Sequence, residues 1–179
     1  MPLTKSRKLS KRGFDIQERL NKQYLDVVTV TATTDAETIG DNKVIAQSIE
    51  IANASSIPGG SGLIKSITIL DEVATGPAVD VIFSSVNTAI TQDQGKAVGE
   101  DVGDLDSALA NVVGYVSIAA GDYTDLHDAK VGTKTNIDLA FSTATASTKL
   151  YMHIINRSGG NWVATATTNM KVKIGIQKD

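Results

Sequence analysis

An all-β fold, an antiparallel β-sandwich of jelly-roll type preceded by an extended basic arm, is predicted by three observations. From Asp26 onward apolar residues recur with period two in short runs, turn residues separate the runs at regular intervals, and small and β-branched residues abound while aromatics make up 4% of the chain. Such alternation gives a strand one buried and one solvated face. Eight or nine strands of this kind with almost no helix among them suit two packed sheets better than a helical or α/β plan.

The first dozen residues, MPLTKSRKLSKR, offer only Leu3 and Leu9 as sizeable apolar groups and cannot build a core. After Gly13 the stretch FDIQERLNKQYL sets Ile16, Leu20 and Tyr24 four apart, along one side of a short amphipathic helix that needs a surface to pack on. Residues 1–23 are therefore read as an arm, partly helical from 13, and residues 24–179 as the sandwich.

The body then unfolds strand by strand. DVVTVTAT is the first, and NKVIAQSIEIAN the second, with Ile45, Ile49 and Ile51 on one side. SGLIKSITILDE is apolar on both faces, Leu63, Ile67 and Ile69 alternating with Ile64 and Leu70, and so reads as a central strand. AVDVIFSS turns Val79, Val81 and Phe83 inward, with Pro77 just outside it, where a missing amide hydrogen does little harm. The polar stretch VNTAITQDQGKAVGEDVGDLDSALAN reads as a loop closing in one helical turn, capped by Asp104 with Leu105, Ala108 and Leu109 toward the domain. VVGYVSIAA resumes the strand pattern and GDYTDLHD is a turn. TNIDLAFST, TKLYMHIINR and NMKVKIGIQKD complete the set, the last with Met170, Val172, Ile174 and Ile176 on one face and Lys171 and Lys173 on the other.

At 179 residues and 18.8 kDa the chain fits one such domain plus its extension. It has no cysteine, so disulfides and thiolate chemistry are excluded. No run approaches the roughly 20 apolar residues that cross a bilayer, and no apolar stretch follows the N-terminal charges as a secretory signal requires, so no membrane partner is expected. The net charge of −3 is unevenly spread. Residues 1–22 hold seven cations against Asp15 and Glu18, a net of +5, while residues 23–179 hold ten against eighteen, a net of −8. Arm and body prefer different neighbours.

Groups able to perform chemistry are few. His127 lies in a turn and His153 alternates with Tyr151 and Ile155 in a strand, and an ordinary surface or core-edge place is expected for both. There is no nucleophile elbow, phosphate loop or metal motif, and two histidines without cysteine leave zinc no tetrahedral ligand set. SSIPGGSG has neither Walker spacing nor a lysine after its glycines, and is read as a turn. Glu100, Asp101, Asp104 and Asp106 crowd together but depart from calcium-loop spacing, so a solvated loop is expected there. No enzyme and no cofactor are expected. Trp162, alone of its kind, sits in a Gly/Asn loop, where it either anchors an interface or plugs the end of the sandwich. In the arm, Lys5, Arg7, Lys8, Lys11, Arg12 and Arg19 supply charge and Phe14, Ile16 and Leu20 an apolar anchor for docking on a protein surface. With nothing aromatic before Phe14, nucleic acid is the weaker reading of that charge, and a solubilising tail is the bland one.

Four segments, NKVIAQSIEIANA, GGSGLIKSITILDE, LANVVGYVSIAAGDYTDL with the following VGTKTNI, and the pair LYMHIINR and KVKIGI, resemble small virion structural proteins of tailed bacteriophages, in particular capsid decoration or cement proteins, over residues 42–176. The resemblance implies a non-enzymatic protein that binds the outside of an assembled capsid, as a homotrimer, and bridges the major capsid protein subunits beneath it. Its place would be the capsid surface of the virion. Two alternatives stay open: a receptor-binding or fibre-associated module using Tyr123 and Trp162 on glycans, and an internal head protein whose arm meets DNA.

Overall fold

The computed structural model describes residues 25–34, 37–87, 95, 97, 109–166 and 169–178. The docking arm with its helix from 13, the Asp104 cap and the acidic stretch 100–106 lie outside the described residues.

Eleven strands follow one another along the chain: β1 (Leu25–Ala32), β2 (Thr38–Ile39), β3 (Val44–Ile51), β4 (Ser61–Asp71), β5 (Val79–Ser84), β6 (Val112–Ile118), β7 (Tyr123–Asp125), β8 (Lys130–Ser142), β9 (Leu150–Asn156), β10 (Trp162–Val163) and β11 (Met170–Lys178). Among the described residues there is no α-helix, only the 3₁₀ turns Leu109–Asn111 and Ala120–Asp122. All strand pairs are antiparallel. One sheet has the order β1-β11-β4-β8-β7, the other β3-β9-β5-β6, and β2 with β10 makes a two-stranded clasp. Counting the eight long strands from one to eight, the sheets read 1-8-3-6 and 2-7-4-5. That interleaving of first with last is the jelly-roll sandwich, two Greek keys wrapped into one.

The sheets meet along both margins, β1 over β3 and β6 over β8, and their inner faces share one apolar core. Ile64, Ile67 and Ile69 of β4 and Val172, Ile174 and Ile176 of β11 face Val79, Val81 and Phe83 of β5 and Leu150, Met152 and Ile154 of β9. All are essentially excluded from solvent, and each such side chain contributes about 1.5–3 kcal/mol relative to exposure. The expected inward sets of β5 and β11 are observed.

The central strand departs from its expected facing. Lys65 is an extra residue between the pairs Ile64–Ile176 and Ser66–Gly175, and three residues of β8, Asn136 to Asp138, bulge opposite it. One inserted residue reverses the parity of everything beyond it. Ile64 therefore joins Ile67 and Ile69 inside, and Leu63 and Leu70 are left half-buried on the outer side. In β3 register shifts also intervene, so Ile49 and Ile51 oppose Met152 and Leu150 while Ile45 sits in the irregularity, still fully buried.

The stretch taken as a turn, GDYTDLHD, holds the short strand β7, and β8 starts at Lys130, five residues before the expected TNIDLAFST. Leu126 N–H donates to Ala129 O at 2.8 Å and closes the β7–β8 hairpin.

Candidate interaction surface

The loops at one end of the sandwich are fixed by buried polar groups. Asp71, the last residue of β4, is fully buried and accepts from Val73 N at 3.1 Å, Thr75 N at 2.9 Å, the Thr75 hydroxyl at 2.9 Å and Gly76 N at 2.7 Å. Trp162 Nε1 donates to its other side at 3.3 Å. So many donors converging on one side chain satisfy its oxygens within the fold. The signal lay in the sequence as Asp followed by Thr and Gly four and five residues on, a turn in which a side chain can stand in for backbone acceptors. Nearby, Asn156 donates to Ile39 O, Gly40 O and Gly160 O at 2.9–3.1 Å and accepts from Ser158 N at 3.0 Å. Asn169 Oδ1 accepts from Thr165 N at 2.8 Å and Ala166 N at 2.6 Å.

Trp162 thus plugs the end of the sandwich and is fully buried in β10 against β2. Its candidate interface role is corrected accordingly: the indole has no free surface and its N–H is committed to Asp71. Tyr123 is likewise no sugar platform. Its ring lies on Gly132, where a Cβ would come within 2.9 Å of it, and its hydroxyl is buried without a partner. Burial, then the charges of Asp71 and Asp122, pushes the phenol well above its ordinary range. The glycan-binding alternative loses both of its aromatics; among the described residues the exposed large aromatic is Tyr115 on β6, at 65%.

His153 is fully buried rather than at a surface or core edge. It projects from the outer side of β9, where Ser48 and Ser84 flank it. Nδ1 accepts from Ser48 N at 3.1 Å, and Nε2 meets the Ser84 hydroxyl at 3.1 Å. Because Ser84 gives its own proton to Val86 O at 2.8 Å, Nε2 is the donor and the ring is neutral. Burial lowers its pKa to about 4. Ser48 also donates to Asn87 O at 2.6 Å, so the imidazole ties β3, β5 and the start of the β5–β6 connection together. No arrangement here joins a nucleophile to a base. His127, by contrast, is exposed at the hairpin tip beside Asp128.

Charges on the outer surfaces pair with one another: Lys65 with Asp138, Lys171 with Glu72, Lys178 with Asp26, and Arg157 with Asp80. Lys134 reaches Asp122 at 3.1 Å, and the Asp122 carboxyl sits below its usual range, chiefly through the Ala119 N–H and then Lys134. Among the described residues no group of three or more His, Cys, Asp and Glu could hold a metal ion, and no helix is long and apolar enough to cross a membrane.

What stands out as available is the outer margin of the first sheet. Leu25 and Val27 are 57% and 63% exposed on β1, at the point where the arm joins the body. Between β1 and β3 runs a groove of about 360 Å³ lined by Val30, Thr31, Gln47, Ile49 and Glu50. Sequence reasoning missed this margin, because an edge strand and an interior strand share the same alternation.

No protein-family model and no curated protein matches the chain. In structure the chain is similar to one of desmodium yellow mottle tymovirus, at a TM-score of 0.28 and 12% identity over 86% of each chain. At that level of likeness the fold assignment rests on the strand order itself.

Proposed function

We propose that the chain is a non-enzymatic structural protein of a virion, a decoration or cement protein that binds the outer surface of a phage capsid and bridges its subunits. The observation that carries this reading is a jelly-roll body whose buried Asp71, His153, Asn156 and Asn169 are committed to internal bonds, joined at an edge strand to an arm of opposite charge. A scaffold so arranged offers adhesion and no reacting group. The arm, Lys5, Arg7, Lys8, Lys11, Arg12 and Arg19 with Phe14, Ile16 and Leu20, would span up to about 80 Å if extended, enough to reach beyond the body's own footprint. Exposed ion pairs contribute only about 0–1 kcal/mol each, so the apolar anchor dominates and the cations set register on carboxylates of the major capsid protein. A homotrimer would multiply these weak contacts. In this reading the arm's partner is protein, not nucleic acid or lipid.

Co-sedimentation with undecorated shells tests it. Full-length chain is expected to pellet with shells, and chain lacking residues 1–23 to stay folded but remain in the supernatant. Equal pelleting of both would overturn the role given to the arm.

The strand order favours a second reading, since jelly rolls are a common architecture of capsid domains: the chain itself would build the shell. Purified chain that assembles unaided into closed particles supports that reading; chain that stays a small oligomer supports decoration.

A further inference from the structure

The four outer edges of the two main sheets are not alike. An edge strand presents unpaired N–H and C=O groups, and proteins blunt such edges with shortness, bulges, charge or cover. β7 is three residues long. β3 is broken by two register shifts, carries Ser48 at φ 52°, and meets Ala97 in a bridge at Lys43. β6 has a register shift near Ser84 and packs at Gly114 against Leu139 of β8. β1 has none of these. All eight of its residues pair with β11 in unbroken register, it contains neither lysine nor proline, and its one charge, Asp26, is tied to Lys178. No described residue bonds through its backbone to the side of β1 turned away from β11.

A second sign points to the same margin. Gln47, beside β1 in the groove, has its Oε1 shielded from solvent and without a hydrogen-bond partner, and Val28, Val30 and Ile49 are only partly buried against the core. Among the described residues, no strand completes the sandwich along this seam.

We propose that a second copy of this chain finishes it, the two β1 strands pairing antiparallel about a two-fold axis at Val28. Residues directly opposite must share a face, which restricts the register. With Val28 on the axis, seven residues pair: Leu25 and Val27 oppose Thr31 and Thr29 of the second copy outside, while inside Val28 meets its own equivalent and Asp26, held by Lys178, meets Val30. Apolar and β-branched cross-strand pairs of this kind are favourable. Charge is compatible with this register and weighs little against its neighbour, since the nearest like charges would stand about 14 Å apart across three strand spacings. In the first sheet Lys173 lies beside Thr29, and Lys171 beside Thr31. Centred on Val28, the rows of the joined sheet run from Lys173 to Gly175 of the second copy and from Lys171 to its Gln177, with no like charges aligned. Centred on Thr29, the row would carry Lys173 at both ends. The contact is isologous, so it is separate from a three-fold contact and does not rest on the capsid reading.

The full chain tests it directly, since it is free of cysteine. Sedimentation velocity at roughly 10–200 µM, the range suited to an interface below standard size, is expected to show a monomer–dimer equilibrium. Val27→Lys, on the exposed face, is expected to shift it toward monomer, with a melting temperature equal to wild type at dilution, where both are monomeric. Under mild oxidation Val28→Cys is expected to cross-link between copies several-fold more than Thr29→Cys. A wild type that stays monomeric throughout, or Thr29→Cys cross-linking as well as Val28→Cys, overturns the proposal; the cross-linking ratio decides even if Val27→Lys fails to fold.

Discussion

The loop end of the sandwich and the free margin of β1 are built on opposite terms. At the loop end, Asp71, Asn156 and Asn169 gather backbone and side-chain partners from β2, β10 and the neighbouring turns, and Trp162 closes the core over them. Along β1, eight residues pair with β11 and, among the described residues, with no strand on the other side, and two apolar side chains stand in solvent. The difference teaches where this fold spends its polar bonding. Loops cannot bury backbone groups without partners, so a few side chains supply them all at once. An edge strand can leave its groups to water, or to another chain.

Removing Asp71 should break the first region most severely. Asp71→Ala leaves the N–H groups of Val73, Thr75, Gly76 and Trp162 without their acceptor, an expected cost of at least about 3 kcal/mol, or roughly 10 °C in Tm for a domain of this size. Urea denaturation and a thermal melt measure it, and a loss below 1 kcal/mol would mean the cradle is dispensable. Trp162→Ala is expected to fall in the same range, about 3–5 kcal/mol, from the cavity alone.

Acid should come next. His153 titrates near 4 in the folded chain and near 6.5 unfolded, so the unfolded state binds the extra proton first and stability is lost as pH falls from about 6.5 to 4. The expected loss by pH 4 is about 3 kcal/mol. His153→Gln, compared with wild type at pH 7 and pH 4.5, isolates it: the variant should lose less stability between the two. A parallel loss would place the acid sensitivity elsewhere. Acid also has a structural direction, because protonated Nδ1 would face the Ser48 N–H. The connection anchored through Val86 and Asn87 is expected to exchange amide hydrogens before the sheets do.

Substitutions on the free margin and the hairpin tip should be nearly silent in the isolated domain. Val27→Ala and Leu126→Ser, both at exposed positions, are expected to change stability by less than about 0.5 kcal/mol. A larger effect from Val27→Ala at high protein concentration that fades on dilution would instead sharpen the contrast, marking the margin as occupied.

Much of the fold was legible because period-two alternation survives in β5, β9 and β11, and Gly, Asn and Asp mark the turns between. The central strand was misfaced for a physical reason: nothing in IKSIT announces that Lys65 is surplus to the pairing with β11, since the surplus exists only relative to Ile176 and Gly175. β2 and β10 escaped because two-residue strands have no period. His153 is expected at an edge because alternation puts it on the outer side of β9, and sequence does not say that Ser48 and Ser84 flank it there. Trp162 was left between interface and plug; the deciding partner, Asp71, lies 91 residues away. The proposed arm shows in the sequence as charge and composition alone, and what it would dock on is a property of another molecule.

Electron microscopy of particles with and without this chain bears most directly on the account. Closed shells in both samples, with added density for the body on the outer surface when the chain is present and its leader running over neighbouring shell subunits, is the expected result. Density confined to the interior or the tail, or no density for the chain in the particle at all, would contradict it.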